Sequence, residues 1–152
     1  MPRLFSRSER GSSTAELALI LPVLIGLLLG ALDYARVFYA AQAVTHAASI
    51  GAMYGAQSVT LSQDSAGMVN AATTSATDIS GFSAVAGRRC ACWTASTGIE
   101  TAMGTCTSTC TSPSVVRIYV TVSTTGLFST FVNYPGIPHT ITINRVARMR
   151  AQ

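Results

Sequence analysis

The sequence predicts an α+β protein, in which a long N-terminal membrane helix is followed by a small antiparallel-sheet head with a short second helix. Three observations predict this fold. Residues 17–32 carry no charge, the apolar positions after residue 36 recur every three or four residues, and residues 115–125 alternate between apolar and polar. The 152 residues suit one modest domain with an appendage. Only 11% of them are charged, which is few for a soluble surface.

Residues 1–11 predict a short basic leader. They hold Arg3, Arg7 and Arg10 against a single acidic residue, Glu9. Positive charge beside a membrane span places that side in the cytoplasm. We therefore expect a single-pass protein with a cytoplasmic N-terminus and its C-terminal part outside the cytoplasm.

The uncharged run at residues 17–32 is short for a membrane span. It gives a helix of about 24 Å, whereas a bilayer core needs about 30 Å. A span over about residues 14–35 closes the gap if Glu16 and Asp33 lie at the two interfaces. A cleaved secretory signal is the alternative, but no A-x-A site follows the run directly. We expect Asp33 and Arg36 to form a surface ion pair, which contributes little to stability.

The long helix is predicted to cover residues 12–57. Small and apolar residues recur along its outer half, at Val37, Ala41, Val44, Ala48, Gly51 and Gly55. This spacing predicts one stripe that is buried against the rest of the domain or against a neighbouring subunit. Residues 58–81 predict a polar linker and a second helix over residues 64–79, which Ser80 and Gly81 end.

Residues 82–152, called the head below, have β character. Candidate strands share alternating or β-branched patterns and cover residues 83–94, 115–125 and 139–150. Two connecting segments are rich in turn-forming residues, a Ser-, Thr- and Gly-rich loop at 96–114 and an aromatic segment at 127–138. We expect a three- or four-stranded antiparallel sheet.

Four cysteines lie in the head, namely Cys90, Cys92, Cys106 and Cys110. An even number of cysteines outside the cytoplasm predicts two disulfides. Zinc is the alternative, although the C-x-C spacing is tighter than that of most zinc sites. Cys90 and Cys92 point to one face of a strand and are poorly placed to bond to each other. We predict nested pairs, Cys90–Cys110 and Cys92–Cys106, because an antiparallel return of the chain nests its contacts.

Gly11 is followed five residues later by Glu16, between the basic leader and the apolar helix. This arrangement resembles a prepilin peptidase site. The wider stretch RGSSTAELALILPVLIGLLLGALDYARVFYAAQAVTHAASIGA is similar to the TadE-like pseudopilins of the tight-adherence (Flp, type IVc) pilus family. The matching features, within about residues 9–55, are Arg10-Gly11, Glu16, Pro22, the acidic residue that ends the span, Gln42 and the Ala-Ala-x-x-Gly-Ala pattern at 47–52.

The resemblance implies that a prepilin peptidase cuts between Gly11 and Ser12 and leaves a pilin-like helix in the bacterial inner membrane. It implies partners among other pilins and pseudopilins, the inner-membrane assembly machinery and the lipid bilayer. Glu16 would then act in assembly. The length of the chain favours a minor pseudopilin, which helps initiate or cap a pilus used in surface adhesion, over a major pilin.

Simple chemistry supports these roles, and simpler explanations stand beside them. After cleavage, Ser12 would carry an α-amino group with a pKa of about 7.7–8.0, with which Glu16 could pair; a plain interfacial anchor is the alternative. Pro22 predicts a helix kink, with or without a role as a hinge. Gly26 and Gly30 form a GxxxG pattern that suits close helix packing, although glycine is common in spans generally.

Catalysis has little support in the sequence. The chain has two histidines and shows no Gly-rich phosphate loop, nucleophile motif or metalloprotease motif, so we expect a non-enzyme without a cofactor. Nucleic acid is not an expected partner, since no basic stripe interleaved with aromatics runs along the chain. Two other functions stay open: a membrane-tethered or pilus-tip binding module that uses loop 94–114 as its contact site, and a single-span envelope protein unrelated to pili.

Overall fold

A computed structural model describes residues 12–133 and 135–152, with side chains from residue 14 onward. Its elements in chain order are α1 (Ser12–Ala56), a short 3-10 helix (Leu61–Gln63), α2 (Ser65–Thr74), β1 (Ser83–Thr94), β2 (Ile99–Ala102), β3 (Val115–Ser129) and β4 (Thr140–Arg150). The chain divides into two compact units after Arg36. The α+β class and the long N-terminal helix are confirmed, and the predicted leader lies outside the described residues.

Helix α1 is 45 residues long and contains one proline, Pro22, within an unbroken helical segment. Alanine and leucine dominate its sequence, and both favour the helix. Membrane helices tolerate an internal proline because neighbouring groups can satisfy the freed carbonyl. The predicted kink at Pro22 stays a prediction.

Helix α2 begins after Asp64, whose Oδ1 accepts a hydrogen bond from the Gly67 backbone N–H at 2.8 Å. This is the usual N-cap arrangement. The helix ends at Thr74, and the prediction that it reaches residue 79 was wrong. The Ser75 hydroxyl donates to the Ala72 carbonyl, and the next backbone bonds are of the tighter i to i+3 type. Local hydroxyl bonds of this kind compete with the continuing helix.

The four strands form one antiparallel sheet in the order β2-β1-β3-β4. Strand β1 matches its predicted bounds, and β3 continues to Ser129, four residues further than predicted. Strand β2 lies inside the segment predicted as loop, so that prediction was wrong for residues 99–102. The register is fixed by opposed pairs such as Arg89 with Tyr119 and Tyr119 with Arg150.

One face of the sheet is buried against the helices of the C-terminal unit, residues 37–152. The first buried cluster consists of Ala52, Met68, Ala72, Val120 and Val122, and the second of Ala40, Val44, Phe128 and Ile143. The buried Thr124 hydroxyl donates to the Val44 backbone carbonyl at 2.9 Å. The small and apolar stripe predicted for the outer half of α1 therefore lies against the sheet.

Gly51 allows α1 to approach its neighbours closely. A Cβ atom at this position would lie 2.8 Å from the Met68 carbonyl oxygen and 3.2 Å from Val122 Cγ1. Real Cβ atoms do not come so near to a backbone oxygen, so only glycine fits here without movement of α2. This close approach explains why a glycine stands at position 51, in the last turns of an Ala-rich helix.

Candidate functional site

The part of α1 before Arg36 exposes its large apolar side chains. Leu19 is 79% exposed and Leu27 is 67% exposed. A continuous apolar surface of this kind is unfavourable in water and is typical of a segment that faces lipid. Within the described residues, α1 is the one helix long and apolar enough to cross a membrane. These features fit a membrane anchor or a signal.

The residues predicted for processing and assembly lie at the start of this helix. Gly11 falls outside the described residues, and Ser12 is the first residue of α1. Glu16 follows in the second turn and is exposed, as is Pro22. The carboxylate thus stands at the N-terminal end of the apolar surface, where the sequence predicts an interface.

Gly26 and Gly30 lie one turn apart on the exposed span. Apart from the adjoining backbone of α1, a methyl group added at either position would meet no described atom within 4 Å. The two glycines therefore leave a shallow, open strip, which a second helix could approach closely. Whether one does so stays a prediction.

Asp33 and Arg36 form the predicted ion pair, with 3.1 Å between Oδ1 and Nη1. The prediction of a surface pair was wrong for one partner, because the Asp33 side chain is only 7% exposed. A buried carboxylate is unfavourable unless it is paired. The arginine at position i+3 supplies a partner at the end of the apolar run.

All four cysteines form disulfides, as the sequence predicts, but the predicted nested pairing was wrong. Cys90 bonds to Cys106 with 5.2 Å between their Cα atoms, and Cys92 bonds to Cys110 with 5.6 Å. Both separations suit a disulfide. Since all four thiols are used, the zinc alternative does not apply to this structure.

The path of the chain explains the pairing. Strand β2 already provides the antiparallel return beside β1, and it ends where the Met103 N–H donates to the Cys90 carbonyl. The chain must then reach β3, which lies on the other side of β1 and begins opposite Trp93. Residues 104–114 therefore cross β1 while running in the same direction as it does. Because the two segments run in the same direction, Cys106 comes to lie beside Cys90, and Cys110 beside Cys92.

Two tyrosine–aspartate hydrogen bonds connect the outer half of α1 to the segment after it. The Tyr39 hydroxyl donates to Asp78 at 2.8 Å, and the Tyr54 hydroxyl donates to Asp64 at 2.9 Å. The hydrogen bond to Asp78 raises the pKa of Tyr39, and that to Asp64 raises the pKa of Tyr54.

The pKa of Asp64 is lowered from its ordinary value, first by the Gly67 N–H and then by the Tyr54 hydroxyl. Both donors favour the charged carboxylate. Stabilisation from this group is therefore present above the pKa of the unfolded chain and is lost as the pH falls through the lowered folded pKa.

The sheet has a second face, which sequence reasoning missed. Val120 and Val122 are buried against the helices, so the odd-numbered residues of β3 and their register partners point away from the helices. We call this side the outer face. Its charged and aromatic members are Arg89, Trp93, Glu100, Arg117, Tyr119, Arg148 and Arg150. These residues come from four strands, so they do not form a recognisable pattern in the linear sequence.

Arginines stack on aromatic rings across the outer face. The Arg117 guanidinium lies 3.5 Å from the centre of the Trp93 ring, and that of Arg148 lies 4.0 Å from the centre of the Tyr119 ring. Glu100 lies 3.8 Å from Arg117 and 3.5 Å from Arg148, and it accepts a hydrogen bond from the Tyr119 hydroxyl. Cation–π and ionic contacts thus hold both guanidinium groups in place.

The described residues contain no group of three or more His, Cys, Asp or Glu side chains arranged to hold a metal ion. The chemistry that the described part of the chain offers is therefore that of surfaces. These are a lipid-facing helix, a disulfide-linked loop and a basic sheet face.

Comparison with known proteins gives one match. Residues 11–53 match the family model of the TadE-like proteins. Neither a curated protein nor a solved structure matches the chain. The matched segment begins at Gly11 and contains Glu16, Pro22 and Asp33, the residues that carried the resemblance. The chain is therefore similar to the TadE-like proteins over residues 11–53, the part that holds the long apolar helix.

Proposed function

We propose that this chain is a minor pseudopilin, cut by a prepilin peptidase, which helps initiate or cap a Tad/Flp (type IVc) pilus. The observation that carries the proposal is the family match, which starts at Gly11 and covers the whole apolar segment. The exposed apolar surface of α1 supports it, because a pseudopilin needs a helix that is stable in lipid and can pack against other helices. The role is structural and involves no catalysis.

The proposed location is the bacterial inner membrane, with the span at about residues 14–35. The three arginines of the leader favour a cytoplasmic N-terminus. The aromatic residues Tyr34, Phe38 and Tyr39 are exposed and follow the apolar run, as is common at membrane–water interfaces. The two disulfides fit a head in the periplasm or beyond, where thiols are oxidised.

Cleavage after Gly11 would give Glu16 a new partner. The α-amino group of Ser12 is positive at neutral pH, and it would lie about one turn from the carboxylate, in its own subunit or in the next one. Pairing lowers the cost of moving both charges from the membrane interface into a helical bundle. The proposed function of Glu16 is to favour this transfer.

The mature protein is expected to begin at Ser12. Intact-mass measurement and N-terminal sequencing of membrane-extracted protein test this expectation. Gly11→Leu should block cleavage and leave the full-length chain, while Gly26→Leu, the same change in the span, should not. A start at Met1 in the unmodified protein, or a start after residue 32, would contradict the pseudopilin assignment.

Glu16→Ala is expected to leave cleavage and membrane insertion intact and to cause a large loss of surface pili. Insertion should if anything improve, because a carboxylate costs about 2.5–3.5 kcal/mol at the centre of a span and less near an end. Pili are counted by electron microscopy and mature protein by immunoblot. Glu9→Ala makes the same change in the leader and should leave piliation unchanged. Normal piliation in Glu16→Ala would contradict a role of Glu16 in assembly and would favour the alternative, an interfacial anchor.

A binding module is the second candidate function. The exposed residues 107–109 lie between two disulfide-bonded cysteines, Cys106 and Cys110. Covalent links that hold a polar loop in place reduce the entropy lost when it binds a partner. This observation favours loop 94–114 as a contact site.

A further inference from the structure

We propose that the outer face of the sheet binds a carboxylated polysaccharide. The head contains six arginines and one acidic residue, Glu100. Four of these arginines, Arg89, Arg117, Arg148 and Arg150, lie on the outer face. A surface with such an excess of positive charge attracts polyanions.

Stacking on aromatic rings fixes the orientation of two of these arginines, which favours binding of a carboxylate at the edge of each guanidinium group. Arg117 and Arg148 lie over the rings of Trp93 and Tyr119. One edge of each guanidinium group already faces the Glu100 carboxylate, 3.8 Å from Arg117 and 3.5 Å from Arg148, and stacking leaves the remaining N–H groups along the edge for a second carboxylate. The fork of donors on a guanidinium group matches the two oxygens of a carboxylate. Less side-chain entropy is then lost on binding than with a freely moving arginine.

The other two arginines stand on either side of the same tyrosine. Arg89 and Arg150 both lie opposite Tyr119 in the register, on the two neighbouring strands. Both are exposed, and within the described residues neither forms an ion pair. An open cleft of about 300 Å³ lies here, and its lining includes Arg89, Tyr119, Thr121 and Arg148.

The rest of the outer face favours a sugar chain. Beyond the arginines it carries short hydroxyl and amide side chains, Thr121, Ser123, Thr125, Thr140, Thr142 and Asn144. Such side chains both donate and accept hydrogen bonds, as sugar hydroxyls do. The large apolar residues on this face, among them Val85 and Val146, are separated along the strands by polar residues or glycine. A stable protein partner would need a more continuous apolar centre.

A second copy of the C-terminal unit does not fit as the occupant. Its acidic residues other than Glu100 are Asp64 and Asp78. Each accepts a hydrogen bond from a tyrosine of α1. The unit therefore has no acidic patch that would match four arginines, and the complementary charge must come from another molecule.

The test uses the full-length protein in an uncharged detergent and polygalacturonate oligosaccharides as the probe, with affinity measured by titration calorimetry. The unmodified protein should bind the probe and not neutral dextran. Raising the salt from about 0.05 to about 0.5 M should weaken binding, because salt screens exposed charges. Arg89→Gln combined with Arg150→Gln should weaken it about tenfold or more, since two charge-assisted contacts are lost.

Arg145→Gln is the matched control. Arg145 is exposed and lies on the same strand as Arg150, but it pairs with Thr124 and so belongs to the opposite face. This variant should bind like the unmodified protein. Thermal unfolding of every variant shows whether it is folded. If the double variant does not fold, the comparison of probes on the unmodified protein decides the question.

Four results would overturn the proposal. They are no binding of polygalacturonate, an equal loss in Arg145→Gln, equal or tighter binding of polyglutamate or single-stranded DNA, and equal or tighter binding of a water-soluble anionic lipid headgroup such as glycerophosphoserine. The test is independent of the pseudopilin assignment. That assignment is decided by leader cleavage and piliation, so either conclusion can fail alone.

Discussion

Replacing the cysteines of one disulfide by serine is expected to destabilise the head by about 3 kcal/mol, the value that the chain-entropy model gives for a closed loop of about 15 residues. The two links span 16 and 18 residues, so Cys90→Ser with Cys106→Ser should cost about as much as Cys92→Ser with Cys110→Ser. Chemical unfolding, followed by circular dichroism in an uncharged detergent, measures the loss. Ser108→Ala, in the same loop, should have little effect.

Single serine variants reveal the pairing. Cys106→Ser should leave Cys90 as the one free thiol, and Cys110→Ser should leave Cys92 free. Alkylation of the unreduced, denatured protein marks that thiol. Trypsin then releases residues 90–117 as one peptide, because no arginine or lysine lies between Arg89 and Arg117, and fragmentation after reduction locates the mark. A label on Cys92 in Cys106→Ser would contradict the Cys90–Cys106 bond and would support the nested pairing.

Gly51→Leu is expected to destabilise the C-terminal unit by about 3 kcal/mol, at the upper end of the range for an overpacked core. Its Cβ would lie 2.8 Å from a backbone oxygen of α2 and 3.2 Å from Val122 Cγ1. A backbone carbonyl cannot turn aside as a flexible side chain can, so α2 would have to move. Thermal unfolding of the full-length protein measures the loss.

Gly87→Leu is the matched control for this prediction. Gly87 lies on β1, and a Cβ atom there would meet no described atom within 4 Å. The substitution should therefore leave the unfolding temperature nearly unchanged. If Gly51→Leu unfolded at the same temperature as Gly87→Leu, the close approach of α1 to α2 would be wrong.

The elements that the sequence predicted well are those with a strong local pattern. Helix α1 is long and rich in alanine and leucine, and apolar and polar residues alternate along much of β3. Each element can therefore be predicted without knowing which elements pack against it. Strand β2 has only four residues. It exists because the edge of β1 offers backbone partners, and no local pattern shows where that edge will be.

The parts of the candidate site differ in the same way. Glu16, Pro22 and the glycines of the span lie within one helix, so their spacing in sequence is their spacing in space. The disulfide pairing depends on which side of β1 the chain reaches next. The outer face depends on the register of four strands, which places Arg89 and Arg150 beside Tyr119 although they are far apart in sequence. Both are long-range properties that a single sequence does not reveal.

The edges of the sheet bear on how copies of this protein can associate. Among the described strands, β2 and β4 are the outermost. Strand β2 is too short to guide a long partner strand, and β4 carries Arg145, Arg148 and Arg150 along its free edge. Short and positively charged edges discourage strand addition between identical chains. Fibre growth through continuous β-pairing between copies, as in amyloid, is thereby disfavoured.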